Sequence, residues 1–194
     1  EYQQQRYAEF YQRYYASSAE SALSPWGSNY VNLLLSQSES QNILTQESQI
    51  ISEFKINHLT NPKKIAYGEN YRPYDVRWFA KISMNMDLAG MTSLKYSSNN
   101  RAIAVDNLFV RTLPTMDPLF YSSKIAGEGY PFDNLQETTL FIGMPLYIIK
   151  QSLDKEWSLV IASDDIGWVK TAGLARVNDR FIKNWQKSAK SVVI

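Results

Sequence analysis

From residue 102 onward the chain is a series of short β-forming runs divided by polar turns, and that rhythm limits what it can fold into. Residues 102–105 (AIAV) are one run, Asp106-Asn107 a turn, and Leu108-Phe109-Val110 a second run. Residues 140–149 are rich in β-formers, residues 157–162 alternate, and residues 166–170 follow a tight Asp164-Asp165 turn. Several short strands at such spacing predict a small all-β barrel or sandwich.

The residues before this region have a different period. Tyr7, Phe10, Tyr11 and Tyr14 recur at helical spacing within residues 2–15, so this segment is expected to lay an aromatic stripe on a core. Ser24-Pro25-Trp26-Gly27 breaks the pattern. A second helix is expected over residues 29–35 and a third from about Asn42, where Ile43, Leu44, Ile50, Ile51 and Phe54 supply apolar positions. The polar residues 36–41 between them are weakly determined. Asn61-Pro62-Lys63-Lys64 reads as a turn, and a short helix through Trp78, Phe79 and Ile82 follows Arg72-Pro73-Tyr74. Asp75 falls in its first turn, where a negative charge suits the helix dipole. Residues 174–190 carry Val177, Phe181, Ile182 and Trp185 at helical spacing. The fold class expected is α+β: a helical N-terminal segment over residues 1–95, a small β-barrel over 96–172, and a helix over 173–194.

Composition removes several classes of function. With 20 basic and 19 acidic residues the net charge is +1, which argues against a nucleic-acid binder and against electrostatic anchoring on an anionic membrane. No apolar run reaches the roughly 18 residues of a membrane span. There is no cysteine and one histidine, His58. A thiolate nucleophile is therefore impossible within these residues, and a lone His cannot supply a typical zinc set. His58 precedes a turn with no nucleophile elbow anywhere, and is expected at a surface or helix end. The Asp164-Asp165 pair suits turn geometry better than glycoside hydrolysis. Gly127-Glu128-Gly129 neither follows an obvious strand nor opens a helix, so it is no phosphate loop. No cofactor is implied. The chain begins at Glu1 with no signal peptide, and its natural start is expected to lie before that residue.

The segment from Val110 to Asn134 is the candidate site. It runs from a strand into a long loop through Pro118, Gly127, Gly129 and Tyr130-Pro131-Phe132-Asp133 without clear periodicity. Loops of that length inside a compact domain are usually functional. Tyr121, Tyr130 and Phe132 are candidates for an aromatic wall, with Asp133, Asn134 and Gln136 as polar groups beside it. The competing reading is that Phe132 and Leu135 plug the barrel while the polar groups tie the loop down. Trp157 and Trp168 are expected to pack rather than stack on a ligand. Trp168 and Val169 should point to opposite faces of one strand.

These residues resemble a known family. Residues 102–169 are similar to the first bacterial SH3 domain of NlpC-type cell-wall peptidases. The matching pieces are Ala102-Ile103-Ala104-Val105, Val110-Arg111-Thr112-Leu113-Pro114-Thr115, Gly129-Tyr130-Pro131-Phe132-Asp133-Asn134-Leu135-Gln136, Gly143-Met144-Pro145-Leu146, Ser152-Leu153-Asp154-Lys155-Glu156-Trp157 and Gly167-Trp168-Val169. Ala66-Tyr67-Gly68-Glu69-Asn70-Tyr71-Arg72-Pro73 resembles part of the helical segment that precedes this domain.

The resemblance implies an SH3-like barrel in a γ-D-glutamyl-diamino-acid endopeptidase, a cysteine peptidase of the bacterial periplasm or envelope that cuts peptidoglycan stem peptides. A second SH3 domain and a papain-like catalytic domain with a Cys and two histidines would follow near Ile194, so no catalytic residue carries over and this chain alone is expected to be inactive. Its implied partners are stem peptides and the catalytic part of the same protein. By the same analogy residues 130–136 contact the stem peptide's amino end, with Asp133 as a receptor for its ammonium. The alternative is a stand-alone module that binds wall peptides or a protein partner.

Overall fold

The computed structural model describes residues 24–35, 43–88, 94–163 and 165–188. The expected helix over residues 2–15, the polar stretch 36–41 and Asp164 of the expected turn lie outside these.

Among the described residues, three α-helices precede the sheet. Helix α1 (Ser28–Leu35) buries Tyr30, Val31, Leu34 and Leu35. Helix α2 (Ile43–Thr60) buries Ile43, Leu44, Ile50 and Ile51, together with one charged residue, Glu47. Helix α3 (Val76–Met86) turns Phe79, Ile82 and Met86 inward. Asp75 is the N-cap of α3 rather than a first-turn residue: its carboxylate accepts the Arg77 N–H at 2.8 Å, satisfying one of the orphan donors of the helix start. The helix ends where Asp87 turns left-handed (φ 50°, ψ 49°) and returns its N–H to Met84 O. His58 lies near the end of α2, where Nδ1 accepts the Ala66 N–H at 3.0 Å and the ring packs on Phe79.

Seven antiparallel strands follow: β1 (Arg101–Ala104), β2 (Leu108–Arg111), β3 (Gln136–Leu140), β4 (Pro145–Gln151), β5 (Trp157–Ile161), β6 (Ile166–Lys170) and β7 (Leu174–Arg176). Their order across the sheet is β3-β2-β6-β5-β4-β1-β7. Helix α4 (Asp179–Ser188) closes the described chain, so the architecture is α+β, as expected. The segment from Leu174, whose spacing looks helical, starts as a strand because Leu174, Ala175 and Arg176 pair with β1. The expected β-rich stretch 140–149 splits at a turn over residues 141–144, and its first strand draws mostly on the polar residues before Leu140.

β2 and β6 meet through the single register pair Arg111↔Trp168. Gly167 permits that approach. A Cβ there would stand 2.5 Å from Val110 Cγ1 and 3.1 Å from the Arg111 carbonyl.

The central strands are buried on both faces. One core gathers Ala102, Leu108, Val110, Leu146, Ile148, Val160 and Val169 inside the curled sheet. The other joins Tyr147, Ile149, Trp157, Leu159, Ile161 and Trp168 to the buried faces of α1, α2 and α3. Trp168 and Val169 do point to opposite faces, yet both are fully buried, because helices cover what would otherwise be the solvent face of β6. Trp157 packs as expected, with Lys170 Nζ 4.5 Å from its ring centroid. A third, smaller core sets Trp26, Ile103, Val177 and Ile182 together, and Trp185 meets Trp26 edge-on at 5.3 Å. Trp185 is thus packed within the chain; Phe181 remains exposed.

A buried polar contact marks the junction of helices and sheet. The Trp168 indole N–H donates to Glu47 Oε2 at 2.9 Å, with both side chains fully buried. Trp168→Phe keeps most of the apolar bulk and removes that donor. The expected outcome is a loss of about 1–3 kcal/mol in urea unfolding, the usual size for a buried bond to a charged group. An unchanged midpoint would show that this contact does not hold the two layers together.

Candidate functional site

β2 ends at Arg111 and β3 begins at Gln136, so residues 112–135 form the long loop the sequence marks out. The loop is internally tied. Arg111 is buried and donates three ways: Nε to Thr115 O at 3.1 Å, Nη2 to Asp117 O at 2.9 Å, and Nη1 to Asp133 Oδ2 at 2.5 Å. The other oxygen of Asp133 accepts the Leu119 and Leu135 N–H groups at 2.9 and 3.0 Å. Asn134 donates twice to Leu119, its own N–H and its Nδ2 both reaching that carbonyl. Thr112 closes the base, its N–H bonded to Leu135 O and its hydroxyl to Glu137 Oε1. Leu113, Leu119 and Leu135 are driven fully into the core shared with the helices. These polar bonds are charge-assisted or backbone-directed and tie the start of the loop to its end, which gives a long connection one geometry.

The helical segment braces the loop from outside. Tyr67 and Phe120 exchange both backbone hydrogen bonds, at 2.8 and 2.9 Å. Tyr74 stacks on Trp78 with centroids 3.9 Å apart and donates its hydroxyl to Pro118 O at 2.6 Å. The Trp78 indole N–H reaches Asp117 Oδ2 at 2.8 Å. Lys64 Nζ stands 3.3 Å from Glu128 and 4.3 Å from the Tyr121 ring centroid. Burial, then the Asp117 and Asp133 charges, push the Tyr74 phenol well above its ordinary range, so it stays protonated and able to donate. Burial, then the Glu128 charge, does the same to Tyr121.

The six candidate residues therefore part company. Tyr121 is buried against the core. Asp133 and Asn134 hold the loop together, and the Asp133 carboxylate already carries three donors. Gln136 bonds the Thr138 carbonyl of its own strand at 2.6 Å. Only Tyr130 and Phe132 face outward, 74% and 56% exposed. The tie-down reading holds for Asp133 and Asn134; Leu135 is buried in the core shared with the helices rather than inside the barrel, and Phe132 is no plug. Tyr130 is not loose. Its ring meets the buried Phe120 edge-on at 5.9 Å, Phe120 packs on Tyr71, and Tyr71 on Tyr67, each pair at 6.2 Å. The result is a continuous row of rings ending in an exposed one. Tyr71 and Arg111 stand in the quoted motifs, but their part in the site is not readable there. Neither the pairing of residues 59 positions apart nor the burial of a strand-end arginine leaves a local pattern. Among the described residues no group of three or more His, Asp or Glu is placed to hold a metal, and no helix is long and apolar enough to cross a membrane.

Two outcomes test this account of the loop. Arg111→Met leaves the Asp133 carboxylate and two carbonyls without their buried donor. It should destabilise the fold by about 3–5 kcal/mol in urea unfolding, the cost of breaking a buried ion pair from one side; a loss below about 1 kcal/mol would place it with surface pairs instead. The tyrosines set an alkaline limit. Unfolded, Tyr74 and Tyr121 ionise near their ordinary 10.0, while the folded chain keeps both protons to higher pH. Above about pH 10 the unfolded state is therefore favoured by proton release, and stability falls as pH rises further. Tyr74→Phe should flatten that fall in urea midpoints taken between pH 8 and 11, and an unaltered slope would contradict it.

The comparisons with known proteins accord with this geometry. Residues 118–170 match the SH3 domain family of the SH3b1 type. No curated protein matches the chain. A solved structure of an NlpC/P60 endopeptidase from Photobacterium damselae subsp. piscicida is similar at 36% sequence identity and a TM-score of 0.66, over 75% of this chain and 31% of that one. This chain thus spans less than a third of the length of that relative. From Pro118 within the tied loop to the end of β6 the chain is an SH3 domain of the SH3b1 type, and it is built like part of an NlpC/P60 endopeptidase.

Proposed function

We propose that this chain is a non-catalytic, substrate-positioning part of a peptidoglycan stem-peptide endopeptidase of the cell envelope. One observation carries the reading: a loop whose Arg111 and Asp133 are spent on each other presents two large aromatic side chains, Tyr130 and Phe132, to solvent. An exposed ring on a rigid support buries ligand area at little cost in conformational entropy. The similarity to an NlpC/P60 endopeptidase supports the substrate class, and the absence of cysteine from these residues supports assigning the chemistry to another part of that protein. In this reading the apolar stretches of a wall peptide lie across Tyr130 and Phe132. Tyr121, Asp133, Asn134 and Gln136 serve the ligand by shaping the loop that carries those rings. The helices stabilise the barrel and the loop from behind.

Sedimentation with purified sacculi tests it. The chain should pellet with them, and Tyr130→Ala with Phe132→Ala should weaken that binding by about tenfold, or 1.4 kcal/mol, while leaving the circular dichroism unchanged. Wild-type affinity in the double variant would remove the loop from the function. Turnover of muropeptides by this chain alone would overturn the non-catalytic reading.

A further inference from the structure

Resting on that reading, we propose that Tyr71, carried by the helical segment and not by the barrel, is the positioning residue of the loop. Its phenol oxygen accepts the Tyr130 N–H at 2.6 Å, across 59 residues of sequence. Its ring lies between Tyr67 and Phe120. Tyr130 is therefore held twice, by its backbone on Tyr71 and by its ring on Phe120.

Three features show that the contact is built. First, the backbone is left-handed at two successive non-glycine residues, Asn70 (φ 59°) and Tyr71 (φ 53°). Asparagine tolerates this; for a tyrosine it is unfavourable and persists only where the surroundings impose it. Second, the turn is clamped at both ends. Tyr67 exchanges backbone bonds with Phe120, and Gly68 N–H donates to Arg72 O at 2.9 Å. Third, the loop makes room for the phenol. A Cβ at Gly129 would stand 2.9 Å from the Tyr71 hydroxyl and 2.7 Å from Ser123 Cα.

Stability does not account for the arrangement. The Tyr130 amide is at the surface, where water replaces a lost acceptor at little cost, whereas the left-handed turn is unfavourable. What the turn achieves is placement: the most exposed aromatic of the loop is fixed relative to the helices.

Tyr71→Phe keeps the ring and removes the acceptor. Gly129→Ala crowds both the phenol and the Ser123 backbone without altering Tyr71 itself. Three readouts are taken on each: amide hydrogen exchange at Tyr130, sacculus binding, and the urea midpoint. We expect exchange at Tyr130 to quicken by about tenfold or more as local opening becomes easier. Binding should weaken by about threefold or more, with the Tyr71→Phe midpoint unchanged. Unchanged exchange in both variants overturns the proposal. So does unchanged binding in variants whose exchange has quickened. A Tyr71→Phe midpoint that falls in step with binding assigns the residue to stability and overturns it as well. If the wild type fails to sediment with sacculi, the proposed function fails, and exchange at Tyr130 alone decides whether Tyr71 positions the loop. Should Gly129→Ala not fold, Tyr71→Phe decides alone.

Discussion

A buried guanidinium organises the functional half of this molecule. Arg111 closes β2, pairs in register with Trp168 of β6, and turns its side chain into the loop that follows. Desolvating a cation is costly unless its donors are filled, and here each nitrogen has an acceptor: the Thr115 and Asp117 carbonyls and the Asp133 carboxylate. Those acceptors come from both ends of the loop. Satisfying one side chain therefore fixes where the chain leaves the sheet and where it returns. Asp133 extends the effect by accepting two backbone N–H groups on its free oxygen, which places Leu119 and Leu135 for burial. Charge satisfaction and apolar burial reinforce each other, and a connection long enough to be mobile is given one shape.

The helices have a part in this that goes beyond covering an apolar face. A small barrel with few residues per strand has a small interior, and its outer face is ordinarily half wet. Here Tyr147, Ile149, Leu159, Ile161 and Trp168 on the outer face are covered by α1, α2 and α3, so the central strands have two cores. The junction carries a buried carboxylate, Glu47, on the Trp168 indole, a contact that specifies how α2 sits on β6. The polar counterpart lies at the far end of α3, where Asn85 donates its Nδ2 to the carboxylate of Asp154 in the β4–β5 hairpin and accepts the Asp154 N–H on its Oδ1. The helical layer and the sheet are thus registered at two places, and the aromatic turn between α2 and α3 is carried to a defined position over the loop.

The strands with β-branched and apolar residues were legible, because alternation and turn residues are local signals: β1, β2, β5 and β6 fall within a residue or so of expectation. β3 was not, since Gln136-Glu137-Thr138-Thr139 is polar and becomes a strand by pairing with β2 at the sheet edge. β7 was masked by helical spacing that belongs only to the residues after it. The burial of both Trp168 and Val169 was hidden because alternation gives facing and says nothing about what covers each face. In the site, the loop was legible from its length and its lack of period. The division of labour inside it was not. Asp133 looks like a ligand acceptor in sequence and is a structural one in space, because its partner lies 22 residues away. Tyr71 gave no sign because left-handed backbone is signalled by glycine, and the segment uses Asn70 and Tyr71 instead.

This separation of roles has a consequence for where function resides. Arg111 and Asp133 are spent on the loop's own shape and Glu128 pairs with Lys64 of the helical segment, while Tyr130 and Phe132 are turned to solvent. In the proposed role, exposed rings act through where they stand, so the positional precision of the loop matters. Precision of this sort does not come from the barrel alone, for Tyr130 rests on Phe120 and Tyr71, and Tyr71 is held by a turn outside the sheet. The SH3-type barrel and the helical segment before it therefore position these rings together. The boundary that composition draws between them does not divide the site.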